Sequence, residues 1–129
     1  MIDAQELWAY CLSRIGAEET FPFGPDAAVY KVLGKMFALI PQESQTVKIS
    51  LKCHPDWARL LRDTYPAVQP GYHLNKRHWN TVISDGSIPD DELLEMIDHS
   101  YEQVVAGMTR AQRRQLRALG YTGPGADGR

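Results

Sequence analysis

The sequence predicts an α+β domain in which an antiparallel sheet carries helices packed on one face. Residues 46–52, "TVKISLK", alternate apolar and polar side chains, which is the period of a half-buried strand. Residues 90–108 instead repeat apolar side chains at helical spacing. The element order along the chain is α-β-β-β-α-β-β-α(-α). Because the strands are grouped and do not alternate with helices, a doubly wound nucleotide fold is not expected.

The first part of the chain is predicted to contain a helix, a loop and three strands. The helix covers residues 3–15, with Asp3 as its cap and Gly16 as its end. An irregular loop follows at 17–28, because prolines disfavour helix in the residue before them. The strands are predicted at 28–33, 36–40 and 46–52. In the last of these, Lys48, Ser50 and Lys52 are predicted to form a solvent-exposed, cationic face.

Three more helices are predicted in the second half. The first covers residues 54–65, with a proline in its first turn. The next is capped by Ser87 and begins with three acidic residues, which the helix dipole favours there. Residues 1–108 are predicted to form a single domain. Residues 109–129 are predicted to form a short basic helix and a flexible Gly/Pro-rich tail.

Between these helices, residues 67–84 are predicted to form a β-hairpin with a two-residue turn at 75–76. This register pairs Tyr72 with Trp79 on one face of the hairpin. It pairs His73 with His78 on the other face. The hairpin therefore concentrates aromatic, histidine and cationic side chains in a short segment.

Composition and charge exclude several classes of protein. The chain has no run of about 18 apolar residues and no signal-peptide pattern, so we expect a cytoplasmic protein without a membrane span. Two cysteines without motif spacing predict reduced thiols. The net charge is −2, but it is unevenly distributed. Residues 27–84 carry eight Lys/Arg against three acids, whereas residues 85–106 carry seven acids and no Lys/Arg.

Motifs for catalysis, metal binding or cofactor binding are not recognised. Cys53 adjoins His54, but neighbouring side chains of a strand point to opposite faces. The histidines and cysteines lack the spacing of a zinc site, and no phosphate-binding loop precedes a helix. We therefore expect a non-enzymatic protein with no catalytic residue, no metal and no cofactor.

The remaining candidate is a basic and aromatic surface on the strands and the hairpin. Lysine and arginine neutralise phosphates, asparagine bonds to bases, and aromatic rings stack on them. The same side chains could instead form a solvated sheet face over a packed aromatic core. The candidate nucleic-acid-binding residues are Lys31, Lys35, Lys48, Lys52, His73, Asn75, Lys76, Arg77, His78 and Trp79.

Three segments carry a resemblance to a known family. They are "FPFGPDAAVYKVLGKMFAL", "VKISLKCHPDWARLLRDTYPAVQPGYHLNKRHWNTV" and "LLEMIDHSYEQVV". Together, over residues 3–108, they resemble the MmcQ/YjbR family of small bacterial proteins. The resemblance implies a CyaY-like fold and DNA binding through a double wing, formed here by residues 28–40 and 71–84. The positions that match are Lys31, Lys35, Lys52, Asn75, Lys76, Arg77, His78 and Trp79.

We therefore expect a monomeric or weakly dimeric protein that binds DNA with little or no sequence specificity. Such binding weakens steeply as salt rises. The alternative is a protein-interaction module, because the fold is similar to secretion-chaperone-like architectures. A third class is a small-molecule or metal binder in a pocket near His54, His73 and His78.

Overall fold

The computed structural model describes residues 2–42 and 45–123. The helices are α1 (Ala4–Leu12), α2 (Pro55–Thr64), α3 (Asp90–Ala106) and α4 (Arg110–Ala118). The strands are β1 (Ala17–Thr20), β2 (Ala27–Val32), β3 (Lys35–Pro41), β4 (Lys48–Lys52), β5 (Val68–Pro70) and β6 (Trp79–Ile83). They form a sheet of order β1-β2-β3-β4-β6-β5, in which every neighbouring pair is antiparallel. The predicted α+β class is confirmed.

One face of the sheet, here called the closed face, packs against the helices. Tyr30, Ala38, Leu51 and Asn80 lie side by side on this face across β2, β3, β4 and β6, and all are buried. The register shifts after Tyr30, which leaves Phe37 as an extra residue on β3. A bulge of this kind breaks strict alternation, so Phe37 can also be buried.

Helix α3 lies across the middle of the closed face. The Phe37 ring meets Tyr101 of α3 edge-on, with ring centroids 5.4 Å apart. The Ser100 hydroxyl donates to the Phe37 carbonyl at 2.5 Å and accepts from the Lys52 backbone N–H at 2.8 Å. This serine is fully buried, and its two hydrogen bonds remove the penalty of burying a hydroxyl group.

The other helices pack around α3. The Tyr10 hydroxyl of α1 donates to Asp98 Oδ2 at 2.8 Å. Trp57 of α2 packs edge-on against His99, with ring centroids 4.4 Å apart. Helix α4 begins with a capping box between Thr109 and Gln112, and its Leu116 is fully buried. The predicted basic helix is confirmed. The predicted tail beyond residue 123 lies outside the described residues.

Three local predictions are wrong. Residues Ala17–Thr20 form edge strand β1, although 17–28 was predicted as a loop. The segment "AEET" has no apolar alternation, so its strand conformation comes from pairing with β2. Helix α1 ends at Leu12 rather than at residue 15. Ser87 does not cap α3, because it donates to Asp85 and the helix begins after Pro89.

Among residues 2–42 and 45–123, no helix is both long enough and apolar enough to cross a membrane.

Candidate nucleic-acid interface

The face of the sheet opposite the helices, here called the open face, carries three of the predicted lysines. A row of paired residues crosses all the described strands on this face: Thr20, Val29, Leu39, Ser50, Thr81 and Gln69. Side chains two positions apart on a strand share a face. Lys31 on β2, and Lys48 and Lys52 on β4, therefore lie on the open face beside this row.

Positive charge on the open face is concentrated on β4. Lys31 lies opposite Glu18 of the edge strand, and this pairing of opposite charges offsets its field. Lys48 and Lys52 instead lie opposite Ile83 and Trp79 of β6. The fourth predicted strand lysine, Lys35, is exposed where β3 begins, at the β2–β3 turn.

The centre of the open face is less exposed to solvent than predicted. Ser50 is 4% exposed and Thr81 is 7% exposed. Their hydroxyl oxygens lie 2.9 Å apart in a hydrogen bond, and the Tyr72 backbone N–H donates to Thr81 Oγ1 at 3.0 Å. The prediction of a fully solvated face is therefore wrong at Ser50, because the segment after β5 folds back over this point.

That segment is an eight-residue loop, residues 71–78, and not the predicted two-residue turn. Strand β5 ends at Pro70 and β6 begins at Trp79, and the Gly71 N–H donates to the Trp79 carbonyl at 2.9 Å to close the loop. His73 has φ 58°, a left-handed conformation that is uncommon for a non-glycine residue. A strand cannot continue through such a residue.

The cross-strand pairs predicted for this segment are therefore wrong. Tyr72 is 72% exposed, and its ring contacts that of His73, its chain neighbour, rather than pairing with Trp79. The two ring centroids are 4.0 Å apart and the ring planes are tilted by 51°. Trp79 is half-buried on the open face, opposite Lys52. His78, which was predicted to pair with His73, accepts at its carbonyl from the Cys53 N–H at 2.7 Å.

Two polar residues of the loop hold its backbone. Asn75 Oδ1 accepts from the backbone N–H groups of Arg77 at 2.9 Å and His78 at 3.3 Å, as asparagine commonly does in turns. Lys76 Nζ donates to the Gly71 carbonyl at 3.0 Å. Arg77 is exposed. The loop is therefore a braced structure whose outer surface carries cationic side chains.

Arg62 is a bracing residue that the sequence prediction missed. From α2, its Nε donates to Asn80 Oδ1 at 2.7 Å, and a terminal nitrogen donates to the Trp79 carbonyl at 3.3 Å. The same nitrogen donates to the Lys76 carbonyl. In the sequence, Arg62 is one of several charged residues of an amphipathic helix, so no local signal marks this role.

A small cavity opens on the open face where the loop returns over the sheet. It has a volume of about 130 Å³, and we call it the Tyr72 cavity. Ser50 contributes to its wall, and the other lining residues are Leu39, Pro41, Lys48, Gln69, Tyr72 and Thr81. They combine an apolar floor, an exposed aromatic ring and one lysine, which together suit a flat ring linked to a negative charge.

The sequence profile of the YjbR family matches residues 12–103 of this chain. The chain belongs to the YjbR family. The matched range contains every predicted site residue, the open face and the loop. Helix α4, at Arg110–Ala118, follows the matched range. The predicted family resemblance is confirmed.

Individual proteins support the same assignment. The chain is 38% identical over 111 residues to the uncharacterised protein YjbR of Escherichia coli K12, covering 86% of this chain and 94% of that protein. It is 35% identical over 100 residues to the uncharacterised protein YbdF of E. coli O157:H7, covering 78% of this chain and 82% of that protein. The crystal structure of Deinococcus radiodurans protein DR2400, which has a DUF419 domain, superposes on this chain with a TM-score of 0.84 and 38% sequence identity. The superposition covers 91% of this chain and 89% of DR2400.

In this YjbR-family fold, larger cavities lie among the helices and are rich in carboxylates. A groove of about 280 Å³ between α2 and α3 is lined by Trp57, Leu60, Glu92 and Glu95, among others. A cavity of about 420 Å³ adjoins α1, α3 and residues 120–123, and contains the Arg14–Asp98 ion pair at 2.9 Å. Carboxylates repel phosphate, so these two cavities are poor sites for nucleic acid.

The two thiols of this YjbR-family chain are buried. Burial raises the pKa of Cys53 to about 11 and that of Cys11 to about 12. Both thiols therefore stay protonated near pH 7, and a thiol is a much weaker nucleophile than a thiolate. Within residues 2–42 and 45–123, no group of three or more His, Cys, Asp or Glu side chains could hold a metal ion.

Proposed function

We propose that this YjbR-family protein binds DNA through its open face and the loop 71–78, without catalysing a reaction on it. The observation that carries the proposal is that Lys48 and Lys52 share the open face of the sheet, and that their described cross-strand partners on β6, Ile83 and Trp79, are uncharged. The basic loop joins this face at Trp79, which lies opposite Lys52. Lysines on one surface can neutralise successive phosphates of a nucleic acid.

The loop supplies further groups to this surface. Arg77 is exposed and free to contact a phosphate. Lys76 uses its ammonium to brace Gly71, but an ammonium group has three N–H donors, so two remain for a ligand. His73 and the Asn75 side-chain amide are exposed and add polar contacts. Contacts to phosphates carry little sequence information, so binding should be weakly specific.

The distribution of acidic residues supports this orientation of the ligand. Residues 85–106 hold seven acids and no Lys/Arg, and α3 covers the opposite face of the sheet. A polyanion approaching the molecule is therefore attracted to the lysines of the open face and repelled by the acidic residues of α3.

Fluorescence anisotropy with a labelled random duplex, titrated at about 20 and about 200 mM salt, tests the proposal. We expect binding at low salt that falls steeply with salt. The variant Lys52→Ala/Arg77→Ala removes two phosphate contacts and should lower the slope of log affinity against log salt by about 2. The control Arg110→Ala/Arg114→Ala makes the same charge change on exposed positions of α4.

Absence of binding by the unmodified protein at low salt would overturn the proposal. An equal loss in both double variants would also contradict it, because the attraction would then depend on total charge and not on the open face.

A second candidate function is the docking of a basic protein segment in the groove between α2 and α3. Leu60 is 58% exposed in this groove, and Glu92 and Glu95 lie beside Trp57 and Met96. Apolar surface with an acidic border suits an amphipathic basic helix. If the anisotropy titration shows no DNA binding, this groove becomes the better candidate.

A further inference from the structure

We infer that the Tyr72 cavity holds one unpaired nucleobase, so that the preferred ligand of the open face is single-stranded. This inference rests on the proposed function, because it names the form of nucleic acid that the same surface binds. It also gives Tyr72, which was absent from the predicted site residues, the central role in recognition.

The size of the cavity limits its occupant to about one ring system. Its volume is about 130 Å³, close to the roughly 150 Å³ of a protein cavity that accommodates benzene. It is smaller than the roughly 300 Å³ at the lower end of ordinary ligand pockets. In a duplex the bases are stacked and paired, so a single base reaches such a cavity only when it is unpaired.

The walls of the cavity suit the two faces of a planar base. Leu39 and Pro41 contribute apolar surface from β3. The Tyr72 residue is 72% exposed, while its backbone is fixed by the bond from its N–H to Thr81 Oγ1 at 3.0 Å. An exposed ring on an anchored backbone can stack on a base with little loss of conformational freedom.

The backbone that presents this ring is unusual. His73, next to Tyr72, has φ 58°, a conformation that is unfavourable for a histidine. Residues held in such conformations cluster at ligand-binding sites, where the surrounding structure maintains them. Here the closure of the loop at Gly71 and the bond to Thr81 maintain it.

Two polar side chains at the cavity match the rest of a nucleotide. Gln69, on edge strand β5, is exposed and offers both a donor and an acceptor to the edge of a base. Lys48 lines the same cavity and can reach the phosphate of that nucleotide. The hydroxyls of Ser50 and Thr81 are hydrogen-bonded to each other at 2.9 Å, so these two residues line the cavity without a role in recognising the base.

The experiment compares three labelled ligands of one length: a single strand, its duplex, and an abasic single strand that keeps only sugar and phosphate. Anisotropy titrations at about 20 mM salt, where phosphate contacts are strong, use the unmodified protein, Tyr72→Ala and Tyr72→Phe. We expect the single strand to bind most tightly. Tyr72→Ala should weaken single-strand binding roughly 5- to 150-fold, the range for one stacked base. Tyr72→Phe should retain binding, because a phenyl ring also stacks.

The outcomes separate this inference from the proposed function. Equal binding of duplex, single strand and abasic strand, unchanged in Tyr72→Ala, overturns the inference and leaves phosphate-driven DNA binding intact. Absence of binding to all three ligands overturns both the inference and the proposed function. Because the Tyr72 side chain is exposed and the anchoring N–H is retained in alanine, the variant should unfold at the temperature of the unmodified protein.

Discussion

Gly71 illustrates how single residues shape the loop of the candidate site. A Cβ atom at this position would lie 2.8 Å from Trp79 Cβ and 2.9 Å from the Trp79 carbonyl oxygen. Side chains do not tolerate such distances, so only glycine lets β5 approach β6 at the base of the loop. Asn75 then holds the far side of the loop through its two backbone contacts.

His99 is a residue whose environment predicts pH-dependent stability. Its Nε2 accepts from the His54 backbone N–H at 3.1 Å, and its ring packs against Trp57. Burial, and to a smaller extent the charge of His54, lower the pKa of His99 below its usual value. Protonation therefore favours the unfolded chain.

We expect the free energy of unfolding to fall as pH drops below about 6.5, because the unfolded chain takes up the His99 proton first. The fall should end once the pH passes below the lowered folded-state pKa. His99→Gln, which is neutral throughout, should make this pH dependence shallower in urea titrations between about pH 5 and 8. The control His73→Gln removes an exposed histidine and should keep the original dependence. A slope unchanged in His99→Gln would contradict this account.

At the scale of elements, the loop 71–78 and helix α2 form one unit. Arg62 joins α2 to the buried Asn80 of β6 and to backbone carbonyls at the end of the loop. Asn80 in turn donates to the Ala58 carbonyl of α2 at 3.3 Å. The position of the loop on the open face therefore depends on a helix that packs against the other side of the sheet.

Arg62→Met should test this coupling. The substitution keeps much of the aliphatic length but leaves Asn80 Oδ1, which is buried, without its donor. We expect the free energy of unfolding to fall by about 1–3 kcal/mol, the usual penalty for an unsatisfied buried polar group. Arg59→Met, at an exposed position one turn earlier, should change it by less than about 0.5 kcal/mol. Equal effects of the two variants in urea unfolding would contradict the bracing role.

At the scale of the whole molecule, α4 extends the packed core beyond the range matched by the family profile. Leu116 is fully buried, and Tyr121, just after the helix, is 4% exposed. A Cβ added at Gly16 would lie 3.0 Å from Leu116 Cδ1, so α4 packs closely on the start of β1. The sequence predicts that the domain ends at residue 108. The packing of α4 makes it possible to test whether α4 also contributes to the stability of that domain.

Leu116→Ala should lower the free energy of unfolding by about 2–5 kcal/mol, because it leaves a cavity where a fully buried leucine packed. The control Leu119→Ala removes a side chain that is 56% exposed and should have a much smaller effect. Both are measured by urea unfolding. A negligible effect of Leu116→Ala would show that residues 1–108 are stable without support from α4.

Local patterns in the sequence were sufficient to predict much of the fold. The alternation in β4 placed Lys48 and Lys52 on one face and Ile49 and Leu51 on the other, as observed. The apolar spacing of α3 likewise predicted its buried side. These predictions succeed because side-chain direction within a strand or helix follows from its own backbone period.

The sequence alone was sufficient to predict the fold class and the faces of the central strands. The tertiary structure alone decided that β1 is a strand, that residues 71–78 form a loop, and that Tyr72 is exposed beside a cavity. Arg62 contacts Lys76, fourteen residues away, and Asn80, eighteen residues away. Contacts between residues this distant in sequence form only when the sheet and helices come together, so no local pattern encodes them.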